Sequence, residues 1–408
     1  MAHSPVAVAF LLLLFVSPTL SLTNSTSLGS SFAPSNSFLS TLSSTLDEIQ
    51  KLISIVSTFS GILGGDLRLS SAVSDCLDLL DLSSDELSLT ISASQPSTTS
   101  TAASAAAEGT GNRRSDLRSW LSAALGNQDT CKESLDGTSS IVGSLVGGGL
   151  QTVTSLVADG LRQVVAGSGD GNAGRRAVSG KGFIARDLTI ENTAGPSKHQ
   201  AVALRSDSDL SVYYRCSFLG YQDTLYAHSL RQFYRECLVT GTVDFVFGNA
   251  AAVFQNCVLL ARRPLPEQKN SITAQGRKDP NQNTGFSLQF CNISADSDLA
   301  GFTNSTATYL GRPWKEYSRT VFMQSYLGGL LRPEGWLEWN GDFALDTLYY
   351  AEYMNSGPGS GLASRVKWPG YRVLTNSGEA VNFTVGPFID GNLWLPSTGV
   401  KYTSGLTV

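Results

Sequence analysis

The chain has 408 residues, with 41% hydrophobic and only 15% charged, 40 glycines and a formal net charge of −5. That length allows two domains, and a polar, glycine-rich, weakly charged composition suits a secreted β-rich protein better than a cytosolic one. No basic patch dominates, which argues against nucleic acid as a partner but leaves an acidic polysaccharide open, since binding depends on local fields.

In chain order, residues 1–22 read as a secretory signal. Val6 to Val16 is a nearly unbroken apolar run followed by Ser17-Pro18, too short for a comfortable membrane span of about 20 residues. An uncleaved anchor is the alternative. Secretion makes the six cysteines readable as disulfides. Sequence does not fix their connectivity; pairing neighbours along the chain gives Cys76–Cys131, Cys216–Cys237 and Cys257–Cys291. No CxxC spacing and only three histidines point away from a metal, and no cofactor motif is present. Asn-x-Ser/Thr sequons begin at Asn24, Asn292, Asn304 and Asn382.

Residues 37–165 carry a helical period. Phe38, Leu42, Leu46, Ile49, Leu52 and Ile53 recur at spacings of three and four. Leu77 to Leu87, then Leu117, Trp120, Leu121 and Leu125, then Ile141, Leu145, Leu150 and Val153 predict three more helices, an all-α helical bundle. Residues 92–110 form a Ser/Thr/Ala stretch expected as a loop or frayed helix end. A glycine-rich junction covers 166–181, and Val164-Val165-Ala166 reads as the start of the next domain. From 182 to 408 short β-prone runs such as Phe183-Ile184-Ala185, Val212-Tyr213-Tyr214 and Val258-Leu259-Leu260 alternate with Gly, Asn, Asp and Pro. Runs at coil spacing predict an all-β right-handed parallel β-helix, with a β-sandwich as runner-up.

Chemistry concentrates between Gln200 and Gly248. Asp223 and Asp244 sit in apolar or amide-rich surroundings, 21 residues apart, about one solenoid coil. Successive coils would set them about 4.8 Å apart, facing one cleft. Two such carboxylates do not titrate alike, which allows one acid and one nucleophile. Taken singly, each also reads as an ordinary turn aspartate. His199 and His228 have no triad partner, so a Ser-His-Asp esterase is disfavoured.

These strings, with Gly182-Phe183-Ile184-Ala185-Arg186-Asp187 and Leu310-Gly311-Arg312-Pro313-Trp314, resemble the plant pectin methylesterases. The resemblance implies Asp244 as nucleophile, Asp223 as acid/base, Gln200 and Gln222 as oxyanion amides and Arg312 as the nucleophile's clamp. It further implies substrate contacts from Gln200, Arg312, Trp314, Tyr221 and Trp336 to methyl-esterified pectin. Asp75-Cys76-Leu77 and Gln128-Asp129-Thr130-Cys131 resemble the family's inhibitor-like pro-region, where these two cysteines tie adjacent helices; an earlier cysteine pair of that region has no counterpart here. Several early β-coils of the catalytic domain, with a substrate-binding threonine, also lack a counterpart. The expected protein is a secreted cell-wall monomer with no membrane partner, hydrolysing pectin methyl esters and open to a proteinaceous inhibitor. The rivals are an inactive β-helix that binds pectin or a partner enzyme, and a β-helix glycoside hydrolase or lyase.

Overall fold

The computed structural model describes residues 34–60, 67–95, 109–136, 141–166 and 181–407. The signal segment and nearly all of the glycine-rich junction lie outside the described residues, as does most of the 92–110 stretch. Four long helices come first: α1 (Asn36–Ser60), α2 (Leu67–Ser94), α3 (Arg113–Asp136) and α4 (Ile141–Ala166). The leucine period is the cause. Phe38, Leu42, Ile49 and Leu52 of α1 share a buried core with Leu79, Leu80 and Leu87 of α2, Leu117, Trp120 and Leu121 of α3, and Val153, Val157 and Leu161 of α4. Ser35 caps α1, its Oγ accepting from the Phe38 backbone N–H at 3.0 Å. Cys76 and Cys131 form a disulfide that joins α2 to α3, with Cα atoms 4.4 Å apart. Val164, expected in the next domain, is instead buried in the bundle core near the end of α4; its apolar run continues the helical period and does not open a strand.

From Ile184 on, nineteen short strands form three sheets of eight, six and five strands. Every strand pair is parallel, which rules out an antiparallel sandwich. The corner between the eight- and six-stranded sheets recurs with one device. A single residue in the left-handed region makes the bend: Asp187, Arg215, Glu236, Asn256, Phe290, Gln324 and Met354, with φ between 49° and 57°. Such conformations are costly for non-glycine residues and persist only where surroundings fix them; here the coil ladder does so. Inside the solenoid, register stacks like on like. Tyr213, Tyr234 and Phe254 pile at centroid spacings of 4.8 and 4.5 Å, each burying a large apolar surface.

The residue after each corner carries a second ladder. Cys216, Cys237, Cys257 and Cys291 occupy it on four coils in succession, and all four are free, buried thiols. The expected bridges Cys216–Cys237 and Cys257–Cys291 are therefore not formed. In-register parallel strands repeat at about 4.8 Å and point their side chains the same way, whereas a disulfide needs Cβ atoms near 3.8 Å converging on one bond. Three of the thiols instead donate to a carbonyl of the preceding coil, Cys237 to Tyr213 at 3.2 Å, Cys257 to Tyr234 at 3.4 Å and Cys291 to Phe254 at 3.3 Å, while Cys216 donates to Tyr214 of its own coil at 3.5 Å.

The first coil, with β1 (Ile184–Arg186), β2 (Thr189–Glu191) and β3 (Leu204–Ser206), forms one edge of each sheet. Leu188 and Val202 are exposed there. The C-terminal segment folds back over the outer face of the eight-stranded sheet, where Val385, Ile389, Trp394 and Leu395 pack on Val212, Phe233 and Val253.

The bundle meets the β-helix through α3, most of whose residues are buried, polar ones included. Gln282 donates to the Ser122 carbonyl at 3.0 Å and Asn283 to Ser119 Oγ at 3.0 Å. At the start of α3, Asp116 accepts from the Thr110 and Gly111 backbone N–H groups. It also accepts from fully buried Arg231 at 2.7 Å, while Arg231 pairs with Asp209 at 2.6 Å. One guanidinium thus joins helix and solenoid.

Candidate active site

Asp223 and Asp244 precede β6 (Leu225–Ala227) and β9 (Val246–Gly248) of the five-stranded sheet. Leu225 pairs with Val246, and two residues back on each strand lie the two aspartates. Both adopt left-handed backbone, φ 62° and 53°, a strain tolerated at functional turns and least costly for Asp and Asn. Gln200 and Gln222 bridge in parallel one coil apart. Arg312 follows β15 (Thr308–Gly311), held by its backbone N–H to the Thr273 carbonyl at 3.0 Å.

These residues line one cleft of about 320 Å³: Gln200, Gln222, Asp223, Asp244, Arg312 and Trp314, with Phe247, Ala274 and Trp339. Arg312 grips Asp244 with both prongs, Nε to Oδ1 at 2.8 Å and Nη2 to Oδ2 at 2.7 Å. Such a fork fixes a carboxylate's orientation as well as its charge. Asp223 has no such partner. Burial first, then the charge of Asp244, pushes its carboxyl up to about 8, with Arg312 opposing. Near neutrality, then, Asp223 holds a proton beside a clamped carboxylate.

Two expected aromatic contacts are corrected. Trp336 is only 1% exposed; it stacks on Tyr350 at 4.2 Å and donates to Glu352 at 3.4 Å, inside the solenoid. A buried indole finds its partner inward, and Glu352, itself paired with Arg365 at 2.7 Å, provides it. Tyr221 does not line the cleft; its ring lies under the Arg262 guanidinium at 3.9 Å. Trp339, which sequence reading passed over, takes the place foreseen for Trp336, its ring against the Arg312 guanidinium at 4.3 Å. A neighbouring hollow of about 390 Å³ shares Gln222, Arg312 and Trp339 with the cleft and continues past Lys269 and Glu338. Together they make an elongated groove.

The other end of the cleft is walled by aromatics and then by the bundle. Phe247 stacks on Tyr226 at 4.3 Å and meets Trp314 at 5.9 Å. Thr130 of α3 hydrogen-bonds His228 at 3.0 Å, and Asp129 pairs with Lys278 at 2.6 Å. Lys315, next to Trp314, is salt-bridged to Glu133. Arg312→Lys tests the clamp. It keeps the charge but loses the planar fork, and a lost charge-assisted hydrogen bond predicts a fall in kcat on the order of tenfold or more; unchanged turnover would show that the bidentate grip is dispensable.

A solenoid bearing an acid–carboxylate pair with an arginine clamp defines a class of β-helix hydrolase. The pectinesterase family model matches residues 140–392. The model described as plant invertase/pectin methylesterase inhibitor matches residues 19–162. The pectinesterase/pectinesterase inhibitor PPE8B of Prunus persica is 48% identical over 470 positions, covering 90% of this chain and 89% of that one. Pectinesterase 2 of Citrus sinensis is 65% identical over 230 residues, 56% of this chain and 45% of that one. The solved pectin methylesterase from carrot superposes with a TM-score of 0.55 at 56% identity, covering 56% of this chain and 72% of that one. The chain belongs to the pectinesterase family and carries the inhibitor-type domain ahead of a right-handed parallel β-helix. The match to the peach relative runs over more positions, 470, than the 408 residues of this chain, so that relative has residues without a counterpart in it.

Proposed function

We propose that the chain hydrolyses methyl esters of polygalacturonate, releasing methanol, as an enzyme of the plant cell wall. The observation that carries this reading is the contrast within one cleft: Asp244 clamped by Arg312 at 2.8 and 2.7 Å, and Asp223 pushed up to about 8 beside it. Asp244 attacks the ester carbonyl carbon, forming an acyl anhydride, while the amides of Gln200 and Gln222 donate to the developing oxyanion. Methoxide leaves with the proton of Asp223. Water then attacks the anhydride, returns a proton to Asp223 and frees Asp244. Trp314 and Trp339 offer apolar faces to the sugar ring, and the groove beyond Trp339 accommodates further residues of a chain. The apolar leader and the sequons support secretion, and among the described residues no helix is long and apolar enough to cross a membrane.

Methanol release from methyl-esterified pectin, without new reducing ends, tests this reading; reducing-sugar release would favour a glycoside-cleaving β-helix instead. The acid role also sets the pH profile. Asp223 acts protonated, so kcat/KM, which reports the free site, falls as pH rises through about 8. A kcat/KM flat across that range rejects Asp223 as the acid. A second reading, a pectin-binding module without activity, draws on the relative's extra residues and the edge coil with exposed Leu188 and Val202. Release of neither product, with pectin binding retained, favours it.

A further inference from the structure

A cavity of about 390 Å³ that shares no lining residue with the catalytic cleft opens where the start of α3 meets the C-terminal segment; Asn112, Arg118, Asn283, Arg319, Phe388 and Asp390 are on its wall. Among the described residues its wall is net positive, with Arg114, Arg118 and Arg319 against Asp390. Arg118 of the bundle and Arg319 of the solenoid make no ion pair among the described residues. Arg118 spends Nη2 on the Asn281 carbonyl at 2.8 Å, and its Nε is buried without a hydrogen-bond partner. Arg319 gives Nε to the Thr284 carbonyl at 2.7 Å and lies over the Phe388 ring at 5.5 Å. Nearby Arg277 donates to the carbonyls of Gln282, Tyr317 and Pro280 and makes no ion pair among the described residues. Asp390, the one carboxylate on the wall, is already engaged by Ser115, by Asn112 at 3.3 Å and by Arg231 at 3.7 Å.

Burial, then the charges of Arg277 and Arg118, push Arg319 well down, and burial, then Arg114, lowers Arg118. A guanidinium stays charged in proteins, and half-buried cations held together without an anion are unfavourable unless a counter-charge arrives. Asn283 adds a second unmet group: its Nδ2 is used on Ser119, and its Oδ1 is buried without a partner, ready for a hydroxyl donor.

We propose that this cavity is a carboxylate site for de-esterified galacturonate residues, the polyanion that the active site would produce. Arg118 and Arg319 take the carboxylate as forks, Asn283 accepts from a sugar hydroxyl, and Phe388 lies under the ring. The uronate is favoured over a simple inorganic anion because the wall pairs cations with an unmet acceptor and an apolar face, which a sulfate cannot use. The site exists only where bundle and solenoid are joined, so its ligand holds the two together. The identity of the ligand rests on the proposed esterase reading; the anion site itself does not.

The experiment is equilibrium binding of trigalacturonate to the full chain, measured before and after deglycosylation because Asn382, which lines the cavity, lies in a sequon. Trp339→Ala serves to weaken binding in the catalytic groove. Trigalacturonate is expected to bind the Trp339→Ala protein, with affinity falling as salt rises. Arg118→Gln and Arg319→Gln, each made in that background, should weaken binding about tenfold or more, from lost charge-assisted hydrogen bonds. Thermal unfolding verifies that each variant is folded, and Arg118→Lys, keeping the charge, should retain part of the binding. The fully methyl-esterified trimer should not bind there. Binding indifferent to both arginine substitutions overturns the site. Sulfate binding as tightly as trigalacturonate overturns the uronate assignment. Arginine-dependent trigalacturonate binding without methanol release from pectin would leave the site standing and remove the esterase reading; methanol release with arginine-indifferent binding would do the reverse.

Discussion

Asp244→Asn is expected to lower methanol release from pectin by on the order of 10³-fold or more, the scale of losing a covalent nucleophile. The substitution preserves shape and removes the charge that Arg312 holds at 2.7–2.8 Å. Folding should survive, because the amide oxygen can still accept one prong of the guanidinium. The same change should also lower the affinity of Asp223 for its proton, since the charge of Asp244 is one of the two causes raising it. Near-full turnover in this variant would remove Asp244 from the nucleophile's role, whatever the activity of the parent.

The second large effect concerns stability. Arg231 is fully buried between Asp209 of the solenoid, Asp116 of α3 and Asp390 of the C-terminal segment. Arg231→Leu leaves Asp209 and Asp116 in the interior without their cation. Breaking a buried pair from one side costs about 3–5 kcal/mol, more than the pair's own net contribution. Denaturant unfolding of the full chain should register that loss. Replacing Arg231 together with both aspartates by apolar residues of similar volume should restore much of it. A loss of under about 1 kcal/mol, ordinary for an exposed site, would mean that water reaches these carboxylates and that the junction is looser than its geometry indicates.

Much of this architecture was legible in the sequence because its determinants are local. The leucine period writes the four helices, since an amphipathic stripe has no other way to be buried. The coil spacing of Asp223 and Asp244 follows from register, and the cleft gathers both with Arg312, Gln200, Gln222 and Trp314. What was not legible depends on direction and on distant partners. Trp336 and Trp339 share one loop, and nothing local says which ring turns inward; Glu352 and Tyr350, on a later coil, decide it. Cysteine count and spacing suggested bridges, but parallel register aims neighbouring thiols along the same direction. The interface of α3 was hidden for a related reason: Ser119, Ser122, Asn127 and Gln128 are buried, yet their polar character reads as a solvated face.

The cysteine ladder has a consequence for the lifetime of the protein. While the coils stay stacked, the thiols of Cys216, Cys237, Cys257 and Cys291 are sealed from oxidants. Thiol–disulfide exchange requires access for a thiolate. In an oxidising compartment, any excursion that opens these coils releases four thiols together, free to couple with one another or to attack the Cys76–Cys131 bridge. Mispaired products cannot regain register, so each such opening is drained in one direction. Durability is then set by how seldom the stack opens, a rate, rather than by the equilibrium between folded and unfolded chains.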